Sequence, residues 1–142
     1  MRTLVVACPD WPVLAAGVAP DQPAAVVRAN RVVATSPAAR LDGVEVGQRR
    51  REAQGRCPGL VVLESDPARD ARSFEAVAAV LERVTPRIEL SRPGLVAFPT
   101  RGPSRYFGGD EALATLVAAA VDEVVVAEGW PGAAGVLSLI HI

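Results

Sequence analysis

The chain has no lysine, and all fifteen of its basic residues are arginine. Codon usage in a GC-rich genome produces that bias without any demand for guanidinium chemistry, so the bias by itself assigns no function. Histidine is nearly absent: His141 is the single one. The serines at 36, 65, 73, 91 and 104 therefore lack the imidazole partner of a hydrolase triad. The two cysteines, Cys8 and Cys57, lie far apart and form no C-x-x-C or Cys/His spacing. That argues against a disulfide framework or a zinc site and makes a reducing cytoplasm the expected compartment. Neither G-x-x-x-x-G-K-[ST] nor a strand-linked G-x-G-x-x-G occurs, which removes the usual phosphate loops. No apolar run approaches a membrane span, and "TLVVA" near the start is too short for a signal-peptide core. A membrane partner is not expected.

What is present is core material. Half of the residues are apolar and the formal net charge is −1, so disorder and strong whole-chain attraction to nucleic acid are both disfavoured. Contact with DNA would have to come from a local patch. At 142 residues the chain suits one cooperative unit, a compact domain carrying a small second lobe.

The hydrophobic pattern predicts the order of elements. Residues 3–7 read as a buried strand at the centre of a sheet, and Asp10-Trp11-Pro12 starts a turn or short helix. "AAVVRA" and "VVATS" flank Asn30-Arg31 as a hairpin. "AARLD" is a turn or two of helix closed by Gly43, Gly47 opens a polar helix, "QRRREAQGR", and residues 60–64 form another buried strand. Asp66-Pro67 caps a helix running to about Val84, with Phe74, Val77, Ala78, Leu81 and Val84 on its apolar face. "RIEL" and "LVAF" are strands joined through residues 91–94. Gly108-Gly109-Asp110 leads into a second long helix whose stripe is Leu113, Leu116, Val117, Ala120, Val121 and Val124. The result is an α+β fold: a sheet with two helices on one face and a small α/β insert. The main lobe takes residues 1–10 and 66–136, and the insert takes 11–65. The closing "LSLIHI" is read as a non-native tail over 137–142, because one frame of a common sequencing-library transposon end encodes it. The chain is then C-terminally truncated and His141 carries no meaning. An ordinary final strand is the alternative.

The stretch 32–58, "VVATSPAARLDGVEVGQRRREAQGRCP", resembles the fingers region of Y-family (UmuC-like) translesion DNA polymerases. That pattern runs strand, [ST]-Tyr-Glu-Ala-Arg-like segment, Gly-Val-x-x-Gly-Met turn, helix, Cys-Pro. Ser36, Ala39, Arg40, Gly43, Val44, Gly47, Cys57 and Pro58 match it in order and spacing. The resemblance continues through the strand, long helix and following strand of the palm, to about residue 128. The phrases "PDWPV", "ANRVVATS", "RRREAQGRCP", "RDARSFEAV" and "GPSRYFGG" are similar to a catalytically degenerate accessory branch of bacterial mutagenesis systems.

The resemblance implies where chemistry should sit. Active members hold two Mg²⁺ ions between substrate phosphates and carboxylates, since hard cations need oxygen ligands. One such acid ends the first strand, and an Asp-Glu pair follows the strand corresponding to "RIEL". Here Cys8 occupies the first place and Pro93-Gly94 the pair, so no metal ligand and no catalytic residue is expected. Mg²⁺ would be the cofactor only of an active polymerase fragment. Asp10 falls on the second acid of the family's Asp-x-Asp, which is not the principal ligand.

The family's triphosphate-holding Tyr is Pro37 in this chain, while Arg40 keeps the basic partner. A guanidinium suits bidentate phosphate binding, and a surface arginine steadying a short helix is the plainer reading. Arg49, Arg50, Arg51 and Arg56 form a local basic patch able to touch a phosphate backbone. The lack of aromatic interleaving favours a solvated helix face balanced by Glu45 and Glu52. Trp11 and Trp130 are read as packing residues.

The function implied is a non-catalytic adaptor in damage-induced, error-prone DNA synthesis. Its partners by resemblance are the sliding clamp, a separate error-prone polymerase and a small companion protein, met mainly through regions downstream of this segment. DNA is a possible ligand. An active polymerase fragment and an unrelated α+β interaction domain are the alternatives. The last of these requires that the Cys8 and Pro93-Gly94 ends not be neighbours in one sheet.

Overall fold

The computed structural model describes residues 2–8, 10–85, 88–128 and 136–141. The chain divides into two compact units. The first comprises Met1–Pro9, Ala71–Gly129 and Ala133–Ile142, and the second Asp10–Asp70 with Trp130–Gly132.

The first unit is built on a sheet of β1 (Arg2–Ala7), β5 (Glu89–Arg92), β6 (Leu95–Pro99) and β7 (Val136–His141), in the order β5-β6-β1-β7. Every pairing in it is antiparallel. The central place of β1 agrees with its apolar run, yet only alternate residues are fully covered: Leu4, Val6 and Cys8 are buried, while Thr3, Val5 and Ala7 are half-buried. The register sets Leu4 opposite Phe98 and Val6 opposite Val96, and all four are buried. One face of the sheet is therefore dry. The buried stripes of two helices cover it: Phe74, Val77 and Leu81 on α4 (Pro67–Val84), and Leu113, Val117, Val121 and Val125 on α6 (Asp110–Ala127). This is the α+β arrangement the pattern predicts.

Several details differ from the sequence reading. Leu116, expected in the α6 stripe, is 40% exposed, whereas Val125 is buried. Helix α6 is apolar nearly all round, so periodicity alone does not single out its inward face. Strand β5 runs through Ser91 and Arg92, leaving only Pro93-Gly94 as the turn; Pro86 and Arg87 lie outside the described residues. All four β5 residues are exposed, as suits a polar edge strand carrying Glu89 and Arg92. A helix, α5 (Arg101–Phe107), occupies "RGPSRYF", where none was expected. Pro103 sits in its first turn, where the missing N–H costs nothing. Residues 136–141, most of which were read as a tail, form β7, paired with β1 from Arg2↔His141 to Ala7↔Val136.

The second unit begins with α1 (Trp11–Ala15) and carries a sheet of order β3-β2-β4. Strands β2 (Ala24–Arg28) and β3 (Arg31–Thr35) are antiparallel, and β4 (Val61–Glu64) runs parallel to β2. Both faces of β2 are dry. Ala25 and Val27 pack with Val32, Ala39, Val44, Ala53 and Cys57, while Ala24 and Val26 pack with Val13 and Ala34. That two-sided burial is why β2 reads as an unbroken apolar run. Strand β4 was expected to be buried as well. It is an edge strand instead, and Val61 is exposed.

Trp11 is fully buried and its indole N–H donates to the Asp70 carbonyl at 3.0 Å. The Arg69 guanidinium reaches the Pro12 carbonyl at 3.4 Å. These ties hold the first turn of α4 in the second unit, so the division falls after Asp70 rather than before Asp66.

Helix α2 (Pro37–Leu41) is capped by Ser36, and Gly43, at φ +88°, turns the chain away after it. Helix α3 (Arg50–Arg56) starts later than "QRRREAQGR" suggested. Residues 47–49 are instead stitched to β3, with Gly47 N donating to Val32 O at 2.8 Å and Val32 N to Gln48 O at 2.9 Å. The hairpin turn is Ala29-Asn30, not Asn30-Arg31: both have positive φ, +49° and +66°, as a type I′ turn requires. Asn tolerates that region, and Ala does not. Ala29→Gly should therefore raise the stability of the protein by about 1 kcal/mol, read as an upward shift of the urea midpoint at unchanged m.

Candidate functional site

The resemblance sets the positions of the family's metal-binding acids at Cys8 and at Pro93-Gly94, with no ligand expected from the residues present. The Cys8 backbone N–H donates to the Gly94 carbonyl at 2.6 Å, which continues the β1–β6 ladder one step beyond Ala7↔Leu95. The two sequence positions are thus immediate neighbours. Pro93 and Gly94 make the β5–β6 turn, with Pro at the first central place and Gly94 at φ +95°, the residue types a type II turn calls for.

This sheet end offers no oxygen side chain from Cys8, Pro93 or Gly94. Cys8 is buried, and that burial pushes its thiol up to about 12, with the exposed Asp122 carboxylate adding to the rise. A neutral thiol is a poor ligand for a hard cation, and neither Pro nor Gly supplies one. The residues here do not fit Mg²⁺. Among the described residues, no group of three or more His, Cys, Asp or Glu side chains could hold a metal ion.

Arg40 and Asp10 come together within the second unit. The two guanidinium nitrogens donate to the two carboxylate oxygens at 2.7 and 3.0 Å, a bidentate pair. The same Nη1 also reaches the carbonyl and the hydroxyl of Thr35, each at 3.1 Å. The hydrogen bond to Asp10 raises Arg40 further above its ordinary value; partial burial opposes this and the carboxylate charge adds to it. Arg40 therefore fixes α2 against β3 and α1, and both Asp10 oxygens are engaged. Pro37 opens α2, where its ring suits the first turn.

Arg49, Arg50 and Arg51 gather with Asn30 and Gln54 around a concavity of about 460 Å³. Arg56 is not part of it and lies against Gly43. Asn30 and Gln54 were missed in the sequence because the stitching of 47–49 onto β3 brings the hairpin turn beside α3, and no local pattern announces that pairing. Arg31 donates to the Gly47 carbonyl at 2.9 Å and braces the same junction. The Cys57 thiol donates to Asp42 at 3.3 Å; burial raises its pKa first, and the carboxylate adds to the shift. Trp130 lies outside the described residues. Among those residues, no helix is long and apolar enough to cross a membrane.

Fold and site geometry together place the chain with polymerase-like α+β domains. Its structure is similar to that of a Y-family DNA polymerase chimera, Dbh-Dpo4(243-245)-Dbh, with a TM-score of 0.79, 15% identity and 98% of this chain covered. It is also similar to DinB from Sulfolobus solfataricus, with a TM-score of 0.78, 15% identity and 99% covered. The chain spans 42% of each of those structures. The impB/mucB/samB family model matches residues 17–135, and the chain belongs to that family. No curated protein matches the sequence. The unrelated interaction domain is thereby set aside.

The Cys8 thiol gives a test of this geometry. Its folded pKa, about 12, lies above the ordinary thiol value of 9.0. Its contribution to stability is therefore fully present below pH 9 and is lost as pH rises from 9 towards 12. Cys8→Ala should show a shallower loss of stability than the unaltered protein in urea titrations across pH 8 to 10.5.

Proposed function

We propose that this protein is a non-catalytic relative of the Y-family polymerases, close to the accessory protein ImuB, that serves as an adaptor in damage-induced translesion DNA synthesis and repair. The observation carrying the proposal is the pairing at the sheet end. The two places where the family resemblance calls for metal-binding acids are adjacent, and they hold Cys8 and Pro93-Gly94. Phosphoryl transfer by two metal ions needs several hard oxygen ligands at once. Asp10, the remaining acid of the motif, is held by Arg40 through both oxygens. That pairing also weakens the case for Arg40 as a free triphosphate contact.

An adaptor of this kind keeps the polymerase fold as a shape and gives up its reaction. By resemblance its partners are the sliding clamp, a separate error-prone polymerase and a small companion protein, and it acts in the cytoplasm. Primer extension by the complete protein, with Mg²⁺ or Mn²⁺, tests the proposal. No template-dependent nucleotide addition is expected. Robust addition would overturn the adaptor reading in favour of an active polymerase.

A further inference from the structure

A groove of about 460 Å³ runs between α4 and α6 in the first unit. Val80 and Val84 line it from α4, and Leu116, Ala120 and Val124 from α6. None of these is among the buried side chains that cover the sheet, so the groove opens on the outer side of the helix layer. We propose that it receives α6 of a second copy of this chain, in a two-fold dimer where each α6 seats in the other copy's groove.

A surface helix ordinarily turns charged and polar residues away from its core. Helix α6 departs from this. Its inner stripe of Leu113, Val117, Val121 and Val125 is already buried, yet Leu116 and Val126 are 40% and 79% exposed, and Ala119 is exposed as well. Leu116, Ala119, Glu123 and Val126 follow one another at spacings of three and four residues, which places them on one ridge opposite the inner stripe. A helix apolar on both sides calls for a second surface to cover the outer one.

The charges of the groove select the occupant. Its two charged lining residues have opposite sign and come from opposite walls, Arg83 from α4 and Glu123 from α6. Both are exposed, and among the described residues neither forms an ion pair. In a two-fold interface, a residue that meets a second residue across the axis is itself met by the same pairing in reverse. An axis midway between the two charges therefore sets Arg83 of each copy against Glu123 of the other, and both pairs form at once. Glu123 also lies on the ridge that enters the groove, so the insertion that covers Leu116 carries this carboxylate to Arg83. The chain's own α6 thus supplies both the apolar ridge and the acid that the α4 wall calls for.

A small-molecule occupant fits less well. Apart from the two charged residues the lining is apolar, and it offers no neutral hydrogen-bonding side chain to orient a ligand. An apolar centre with charges at its rim is instead the build of a protein interface. Ala119 on the ridge and Ala120 on the wall are small enough to let the helices approach closely. The proposal rests on the first unit alone and on no part of the adaptor reading.

Sedimentation velocity of the intact protein over a series of concentrations tests it. A monomer–dimer equilibrium is expected. Arg83→Glu and Glu123→Arg each create two like-charge contacts across the axis and should weaken the dimer by about tenfold or more, whereas Arg83→Glu/Glu123→Arg should restore it. Leu116→Glu, at an exposed position of the ridge, should leave a monomer with an unaltered circular dichroism spectrum. Arg72→Glu, an exposed α4 position outside the groove, should leave the equilibrium unchanged. A monomer at every concentration, single swaps without effect, or a double variant as weak as the single ones would each overturn the inference, the first leaving the groove to another protein's helix. No catalysis is read in this assay, so its failure leaves the adaptor reading standing, and primer extension would overturn that reading without touching the dimer.

Discussion

The register between β1 and β6 is the constraint on which the rest depends. Side chains in a strand alternate faces, so a slip of one residue would turn Leu4 and Val6 away from the helices and bring Thr3 and Val5 in. Phe98 and Val96 stand opposite the first pair and are buried with them, so a slip of β1 would uncover Leu4 and Val6 and set Thr3 and Val5 beside Phe98 and Val96. At about 1.5 to 3 kcal/mol for each large apolar side chain, uncovering two is a large part of the margin by which a small domain is stable. The same register puts Cys8 against Gly94. Packing thus dictates that the two sequence positions on which the functional reading turns are neighbours, whatever residues occupy them.

The second unit is organised by a hydroxyl rather than by a strand register. Ser36 is fully buried, accepts from Ala24 N at 3.0 Å and from Ala39 N at 3.2 Å, and donates to Gln22 O at 2.6 Å. One side chain thereby caps α2, closes the start of β2 and satisfies the loop before it. Leaving those backbone groups unpaired in the interior would cost about 1 to 3 kcal/mol each. The Arg40–Asp10 pair then joins α2 to the entry of α1. It is nearly half-exposed on the arginine side, so its contribution to stability is small, about 1 kcal/mol or less, and its main effect is orientation.

Much of this architecture is legible in the amino-acid sequence. The apolar runs locate β1, β2 and β6, Asp66-Pro67 marks the start of α4, and the spacing around Arg40, Gly43 and Gly47 points to the family. The misses have physical causes. The exposure of β4 depends on its place at the sheet edge, which a run of four residues does not encode. Helix α5 is hidden by Gly102 and Pro103, whose helix-breaking tendency is weak in a first turn. The arginine groove needs the pairing of residues 47–49 with β3, a contact set by tertiary structure. Ser36 is visible as a motif residue, but its three bonds are not.

The chemistry at Cys8 ties stability to the functional reading. A carboxylate at that position would be ionised at neutral pH, and burying it without a metal or a donor would cost several kcal/mol. Enzymes that keep such acids accept that cost because the bound cations offset it. A thiol driven towards pH 12 stays neutral throughout the physiological range and packs as a small apolar group. Likewise, Pro93 and Gly94 match the conformations their turn demands, whereas an Asp-Glu pair would place Glu at Gly94's φ of +95°. At all three positions the residue present favours the sheet over a metal. That is the pattern the proposed adaptor reading calls for, since a fold kept for its shape alone has no need of ligands that cost stability.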